Sequence, residues 1–130
     1  MGGFFGAISK RDCVLDIFFG VDYHSHLGTR RGGMAAYDPQ LGLQRQIHNI
    51  ENSPFRPKLH GILTELNATS AIGCISDTDP QPLLIRSNLG TYAICTIGII
   101  NNAEALLQQY LSFSGGHFDA MSGGKLNSNE

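Results

Sequence analysis

Apolar positions in the first half of the chain alternate between strand-like runs and a helical spacing. A short apolar run over residues 3–9 predicts a buried strand near the N-terminus. Apolar residues three or four apart then predict a helix over about 13–27, for which Asp12 is a suitable N-cap. Two further runs, Met34–Tyr37 and Leu41–Ile47, flank an Asp-Pro-Gln turn and predict a hairpin.

The second half predicts a helix, three strands and a final helix. The apolar residues of Leu59–Leu66 recur at helical spacing, and Ala71–Ser76 is a short apolar run typical of a buried strand. Leu83–Arg86 and Thr91–Ile100 predict two more strands, and Asn102 is placed to cap a helix after them. This order predicts an α+β domain with a largely antiparallel sheet and helices packed against it.

The last segment, 112–130, is rich in Gly, Ser and Asn and has no apolar period. We expect it to form a loop or a truncated tail. Residues 1–130 are too few for two independently packed cores, so we expect one domain. Because the sequence ends on a polar run without a closing element, we expect it to be the N-terminal part of a longer domain.

Composition excludes several classes of protein. Hydrophobic residues make up 42% of the chain and charged residues 15%, which is typical of a globular protein. A net charge of -2 does not favour nucleic-acid binding, and we expect neither a membrane span nor a signal peptide. Cys13, Cys74 and Cys95 show no C-x-x-C spacing, which favours reduced thiols and a cytoplasmic location.

General chemical signals are weak. His24 and His26 would point to different faces of a helix, and no histidine pair has the spacing of a zinc site, so we expect no metal and no cofactor. Asp77 and Asp79 could hold a divalent ion, but this pattern is more typical of a turn. Cys13 starts a predicted helix, where a thiolate would be stabilised, yet a small apolar core residue is the more common role.

Four segments in this order resemble the glutaminase domain of amidophosphoribosyltransferases, which are class II glutamine amidotransferases. They are Gly3-Phe-Phe-Gly-Ala-Ile8, Tyr23-His-Ser-His-Leu-Gly-Thr-Arg30, Asp79-Pro-Gln-Pro-Leu-Leu84 and Gly98-Ile-Ile-Asn-Asn-Ala103. The resemblance spans residues 1–111. It implies an N-terminal nucleophile hydrolase fold, an αββα sandwich of two antiparallel sheets, incomplete here at its C-terminus. It also implies a C-terminal phosphoribosyltransferase domain as the partner, which this chain lacks.

In the family that this chain resembles, an N-terminal cysteine attacks the side-chain amide of glutamine. Its own free α-amino group serves as the base. An Asn side chain and a Gly backbone N–H stabilise the oxyanion. An Arg binds the glutamine α-carboxylate, and an Asp binds its ammonium group.

Most of the matching positions in this chain lack that chemistry. Gly2 stands at the position of the nucleophile and has no side chain. Ile97 stands at the position of the oxyanion Asn, although Gly98 is kept beside it. Ser76 stands at the position of the carboxylate-binding Arg. The resemblance therefore implies that the catalytic groups are not intact.

Two further positions concern glutamine binding. Ser128 stands in place of the ammonium-binding Asp, with Asp119 as an alternative. Arg30 is retained from the family's His-Arg-Gly motif, although Thr29 and Arg31 replace its neighbours. Residues that shape the scaffold therefore persist, whereas residues that hold and cleave glutamine are replaced.

We expect a glutaminase-like pseudoenzyme domain with a structural or regulatory role beside a phosphoribosyltransferase domain. One alternative is an active glutamine amidotransferase that supplies ammonia for purine biosynthesis with an unusual nucleophile, such as Cys13 exposed by processing after Asp12. Another is a plain scaffold in which the cavity behind Ile97 is filled. Because an incomplete sandwich exposes sheet edges, we also expect a homo-oligomer or a partner segment.

Overall fold

The computed structural model describes residues 2–26, 30–52 and 65–114, together with Leu126 and Asn129. The elements in chain order are β1 (Gly3–Ile8), α1 (Val14–Ser25), β2 (Arg31–Asp38), β3 (Gly42–Asn49), β4 (Ser70–Ser76), β5 (Leu83–Ser87), β6 (Gly90–Ile94) and α2 (Ala103–Ser114). Neither α1 nor α2 is long and apolar enough to span a membrane.

Two antiparallel sheets organise these elements. The larger has four strands in the order β1-β4-β2-β3, and the smaller is the β5–β6 hairpin. In the larger sheet, Phe5 lies opposite Gly73, and Gly33 lies opposite Cys74. The two central strands, β2 and β4, are separated in sequence by residues 39–69, which include the β2–β3 turn and β3. The expected α+β class with antiparallel sheets is confirmed.

The core lies between α1 and one face of the larger sheet. Buried side chains recur every three or four residues along α1, which places them on one side of the helix. The buried residues of this cluster are Cys13, Val14, Ile17, Phe18, Val21, Met34, Ala36, Ala68, Ala71 and Ile75. Gly73 allows the helix to approach closely, because a Cβ there would overlap Val21 and lie 2.9 Å from Ile17 Cγ2.

The opposite face of the sheet contacts the chain that leads into β5. Gly33 points to this face, and a Cβ at that position would overlap the backbone carbonyl of Gln81. Arg45 Nη1 also donates a hydrogen bond to the Pro82 carbonyl at 3.4 Å. The segment before β5 is thus fixed against the middle of the four-stranded sheet, and the hairpin follows from it.

Most of the predicted elements are found close to their predicted bounds, including β1, α1, the β2–β3 hairpin, β4 and β5. The predicted helix over Leu59–Leu66 lies outside the described residues apart from its last two positions. The strand predicted over Thr91–Ile100 is wrong beyond Ile94, because the Thr96 N–H donates to Gln81 Oε1 at 2.8 Å instead of to a strand. Helix α2 continues to Ser114, so the first residues assigned to the tail are helical.

The start of α1 is tied to the chain before β4. The N-cap is Cys13, one residue later than predicted, and its N–H donates to the Ala68 carbonyl at 2.8 Å. Asp12 Oδ1 in turn accepts from the Ala68 N–H at 2.9 Å and from the Val14 N–H at 3.3 Å. This reciprocal pair of bonds holds the helix start beside the sheet.

Asp38 links the β2–β3 turn to the same region. Its Oδ1 accepts from the N–H groups of Gln40 at 2.8 Å and Leu41 at 3.2 Å. Its Oδ2 accepts from the Asn67 N–H at 3.0 Å. These bonds hold the pKa of Asp38 below its ordinary value because they favour the ionised carboxylate, and the bond from Asn67 contributes most.

Gly73→Ala tests the close approach of α1. We expect a loss of about 1–3 kcal/mol in the free energy of unfolding, because an extra methyl overpacks the helix–sheet contact. Urea unfolding followed by circular dichroism measures it. Gly6→Ala is the matched control in β1, since its Cβ would meet only ordinary contacts, at 3.6 Å from Ile72 Cγ2 and 3.9 Å from the Ala71 carbonyl. Equal losses in the two variants would contradict this account of Gly73.

Asp38→Asn tests the carboxylate that fastens the turn. Because the folded pKa of Asp38 is lowered, its stabilisation is present above the unfolded pKa, about 3.9, and is lost as the pH falls through the folded value. We expect the urea midpoint of the wild type to fall more steeply than that of D38N as the pH is lowered into this range. The exposed Glu65, changed to Gln, is the control, and parallel curves for wild type and D38N would contradict the assignment.

Candidate functional site

A cleft of about 330 Å3 opens where β1 begins and β4 ends. Three separate parts of the chain form it: the residue before β1, the loop after β4 and the segment after β6. The lining residues are Gly2, Ser76, Asp77, Thr78, Asp79, Gln81, Thr96, Ile97, Gly98 and Ile99. Gly2, Ser76, Ile97 and Gly98, to which the resemblance assigns catalytic or binding positions, therefore meet in one cleft.

Ile97 and the backbone of β4 crowd Gly2, at the position to which the resemblance assigns the nucleophile. A Cβ on Gly2 would lie 3.1 Å from Ile97 Cδ1 and 3.7 Å from Ile97 Cγ2. It would also lie 2.9 Å from the Ile75 carbonyl oxygen, which belongs to the backbone of β4 and cannot simply rotate away. The isoleucine side chain thus takes up space that a larger residue at position 2 would need.

Gly98 keeps a backbone conformation that favours glycine. Its φ is +150°, and a Cβ there would meet no atom within 4 Å, so the requirement is conformational and not steric. A backbone N–H in this position is the one oxyanion donor that the resemblance leaves in the chain. The neighbouring Ile97 side chain cannot donate a second hydrogen bond.

Ser76 has a local structural role at the end of β4. Its Oγ accepts hydrogen bonds from the N–H groups of Thr78 at 3.3 Å and Asp79 at 3.1 Å. These bonds turn the chain out of the strand and shape one wall of the cleft. A serine with this arrangement caps a turn, whereas an arginine in the same place could extend a guanidinium into the cleft.

Gln81 joins two walls of the cleft. Its side chain is buried, and its Oε1 accepts the Thr96 N–H at 2.8 Å. Its backbone carbonyl fills the space beside Gly33. Gln81 therefore positions the segment after β6, including Ile97, relative to the four-stranded sheet. Sequence reasoning noted Gln81 only as part of a retained motif, and no local pattern predicts this long-range bond.

The charges around the cleft do not favour a glutamine α-carboxylate. Asp77 and Asp79 are among its lining residues, while no Lys or Arg is among those described there. The described lining therefore lacks a guanidinium that could bind a glutamine α-carboxylate in the usual bidentate manner.

Arg30, the retained binding position, lies outside the cleft lining. Its side chain is 66% exposed, and its Nε lies 3.8 Å from Glu51 Oε1. Such an exposed ion pair contributes little to stability. The Arg30 carbonyl accepts the Ile50 N–H at 2.8 Å, one residue before β2 begins. Ser128 and its alternative Asp119 lie outside the described residues.

Cys13 is packed in the core and not presented to a substrate. It is 1% exposed, and its thiol faces the Ala7 carbonyl at 3.9 Å. Burial, followed by the charges of Asp12 and Asp16, raises the pKa of Cys13, which disfavours the reactive thiolate. Its expected role as a core residue is confirmed. Within residues 2–26, 30–52 and 65–114, no group of three His, Cys, Asp or Glu side chains is placed to hold a metal ion.

A second cleft, of about 790 Å3, lies at the opposite end of the sheet. Asp12 and Asp38 are among its lining residues, together with Lys10 and Arg11. The two carboxylates already accept backbone N–H groups of the chain before β4, as described above. Their role there is structural, and the resemblance assigns no position to this cleft.

Comparison with solved structures gives several matches, two of which are described here. No protein-family model and no curated protein matches the chain. One match is a solved structure described as the allosteric regulatory enzyme of purine biosynthesis, to which the chain is 25% identical with a TM-score of 0.71. The matched region covers 92% of this chain and 27% of that one. The other is glutamine phosphoribosylpyrophosphate amidotransferase from B. subtilis complexed with ADP and GMP, to which the chain is 26% identical with a TM-score of 0.69. Here the matched region covers 92% of this chain and 26% of that one.

The chain therefore has the fold of the glutaminase region of a class II glutamine amidotransferase. The particular similarity is to the N-terminal region of glutamine phosphoribosylpyrophosphate amidotransferase, which confirms the resemblance seen in the sequence. The chain spans only 27% and 26% of the two matched structures.

Ser76→Ala tests the turn that shapes the cleft. We expect a loss of about 0.5–1.5 kcal/mol in the free energy of unfolding, because two backbone N–H groups lose a protein acceptor. Ser87→Ala is a matched control, since Ser87 Oγ accepts the Leu89 N–H at 3.1 Å in the exposed β5–β6 turn, where water can replace it. Urea unfolding compares them, and a smaller loss for Ser76→Ala than for Ser87→Ala would contradict the proposed role.

Proposed function

We propose that this chain is a glutaminase-like domain that does not hydrolyse glutamine and that serves as a structural or regulatory domain beside a phosphoribosyltransferase domain. The contact between Gly2 and Ile97 is the observation that carries the proposal. Gly2 offers no nucleophile, and a Cβ at that position would lie 2.9 Å from the Ile75 carbonyl oxygen and 3.1 Å from Ile97 Cδ1.

Other cleft residues also lack groups that glutamine hydrolysis requires. Loss of a single oxyanion donor costs on the order of 10² to 10³ in rate. Here Ile97 replaces the Asn donor, and Ser76 is engaged in a turn at the position of the carboxylate-binding Arg. Because binding, nucleophilic attack and charge stabilisation are affected together, no single substitution restores the site. Because no Lys or Arg is among the described residues that line the cleft, a ligand without a free carboxylate fits it better than glutamine does.

The part of the four-stranded sheet that the chain before β5 leaves uncovered supports the expected sandwich and a covering partner. Ile8 is 91% exposed and Phe4 is 67% exposed, and both lie on the face away from α1. Tyr37 on the same face is half-exposed. We propose that the αββα sandwich is completed by a partner segment or by a second copy, because large exposed apolar side chains on one face mark a surface that is covered in the functional protein.

The two alternatives have less support. An active amidotransferase with Cys13 as its nucleophile conflicts with the burial of that thiol and with its raised pKa. A plain scaffold predicts a filled cavity behind Ile97, whereas a cleft of about 330 Å3 lies beside that residue. The cleft supports a ligand-binding or regulatory role over a purely structural one.

Glutamate release from glutamine tests the proposal, with the B. subtilis enzyme as the positive control. We expect no glutamate above background from the wild type or from Gly2→Cys, in which the new side chain meets Ile97 and the Ile75 carbonyl. Intact mass recorded on each sample establishes whether residue 2 is the N-terminus. The double variant Gly2→Cys/Ile97→Asn removes the obstructing side chain and restores a donor.

Two outcomes would contradict the proposal. Glutamate release by the wild type that disappears in Cys13→Ala would identify a relocated nucleophile. Turnover by Gly2→Cys alone would show that Ile97 does not obstruct the position. Activity confined to the double variant would agree with the proposal, since it would locate the loss of function in these two residues.

A further inference from the structure

Cys74 and Cys95 meet between the four-stranded sheet and the segment after β6. Cys74 is buried on β4, directly opposite Gly33, and therefore shares the face on which the Gln81 carbonyl packs. Gln81 also holds the N–H of Thr96, the residue that follows Cys95. The same bond that shapes the cleft thus brings the two cysteines to one place.

The two thiols interact, and they differ in exposure. A side-chain hydrogen bond between them is the largest cause that raises the pKa of Cys74, and it lowers the pKa of Cys95. Both cysteines are free, and Cys95 is the more accessible of the two, since Cys74 is buried and Cys95 is half-buried. The third cysteine, Cys13, lies on the other side of the sheet, in the core between α1 and the sheet.

We propose that Cys74 and Cys95 form a redox pair, in which oxidation by a peroxide joins them in a disulfide between β4 and the wall of the cleft. Cys95 is the attacking thiol, because it is the more exposed, and Cys74 is the resolving thiol. The assignment does not depend on the proposed loss of glutamine hydrolysis, since neither cysteine lines the cleft.

The reaction balances with hydrogen peroxide as the only co-reactant. The Cys95 thiolate attacks one peroxide oxygen, the O–O bond breaks, and the departing hydroxide takes up a proton to become water. The Cys74 sulfur then attacks the Cys95 sulfenic acid, the S–O bond breaks, and a second water leaves with the Cys74 proton. Two thiols lose one electron each, and one peroxide is reduced to two waters.

The disulfide would change the mobility of one cleft wall. Residues 96–99 line the cleft and directly follow Cys95. In the reduced protein, the Gln81–Thr96 hydrogen bond holds this segment against the chain that packs on the four-stranded sheet. In the oxidised protein a covalent bond to β4 would be added one residue earlier. Access to the cleft would then respond to peroxide.

Peptide mapping of the intact protein tests the pair. The protein is treated with hydrogen peroxide, free thiols are blocked with iodoacetamide, and trypsin digestion is performed without reduction. Trypsin separates the three cysteines into peptides 12–30, 59–86 and 87–125. We expect a cross-linked species of 59–86 and 87–125 that dithiothreitol releases, and a fall in titratable thiols from three to one.

Variants separate this pair from general oxidation. Cys13→Ala is the matched control and should keep the cross-link, whereas Cys95→Ala should abolish it without loss of the fold, because Cys95 lies outside the regular strands. Circular dichroism confirms folding of each variant. A cross-link that includes Cys13, or an oxidised Cys95 that carries two or more oxygens with no cross-link in the wild type, would overturn the proposal.

Discussion

The absence of side chains at two neighbouring places on the central strands determines how the other layers meet the sheet. Gly73 on β4 admits α1 on one face, and Gly33 on β2 admits the Gln81 carbonyl on the other. A methyl group at either place would force a layer outward, and close-packed interiors do not absorb such a shift without cost. The core on one side and the cleft on the other both depend on this thin centre of the sheet.

The residues that line the cleft are fixed by local contacts of their own. Ile97 lies beside Gly2, and Ser76 caps the turn after β4. The Gln81 side chain accepts the Thr96 N–H and so joins two walls of the cleft. Gly98 adopts a backbone conformation that favours glycine. The polar groups of Ser76 and Gln81 therefore stabilise the chain around the cleft.

Local patterns predicted the elements and missed the long-range bonds. The helical spacing along α1 reports burial, which periodicity encodes directly, and the two apolar runs around the Asp-Pro-Gln turn report the β2–β3 hairpin. The early end of β6 could not be predicted, because Gln81, far from Thr96 in sequence, takes the N–H that a longer strand would use. The resemblance predicted that Gly2, Ser76, Ile97 and Gly98 share a site. It gave no sign that Arg30 faces Glu51 or that Cys74 meets Cys95.

The strand order gives the two rims of the four-stranded sheet opposite characters. One rim, β3, carries the polar or charged residues Gln44, Arg45, Gln46 and His48, and such residues discourage pairing with another chain. The other rim within the described part of the chain, β1, is apolar and carries no charge. An additional strand, whether from a partner or from a second copy of the chain, would therefore pair with β1 and not with β3.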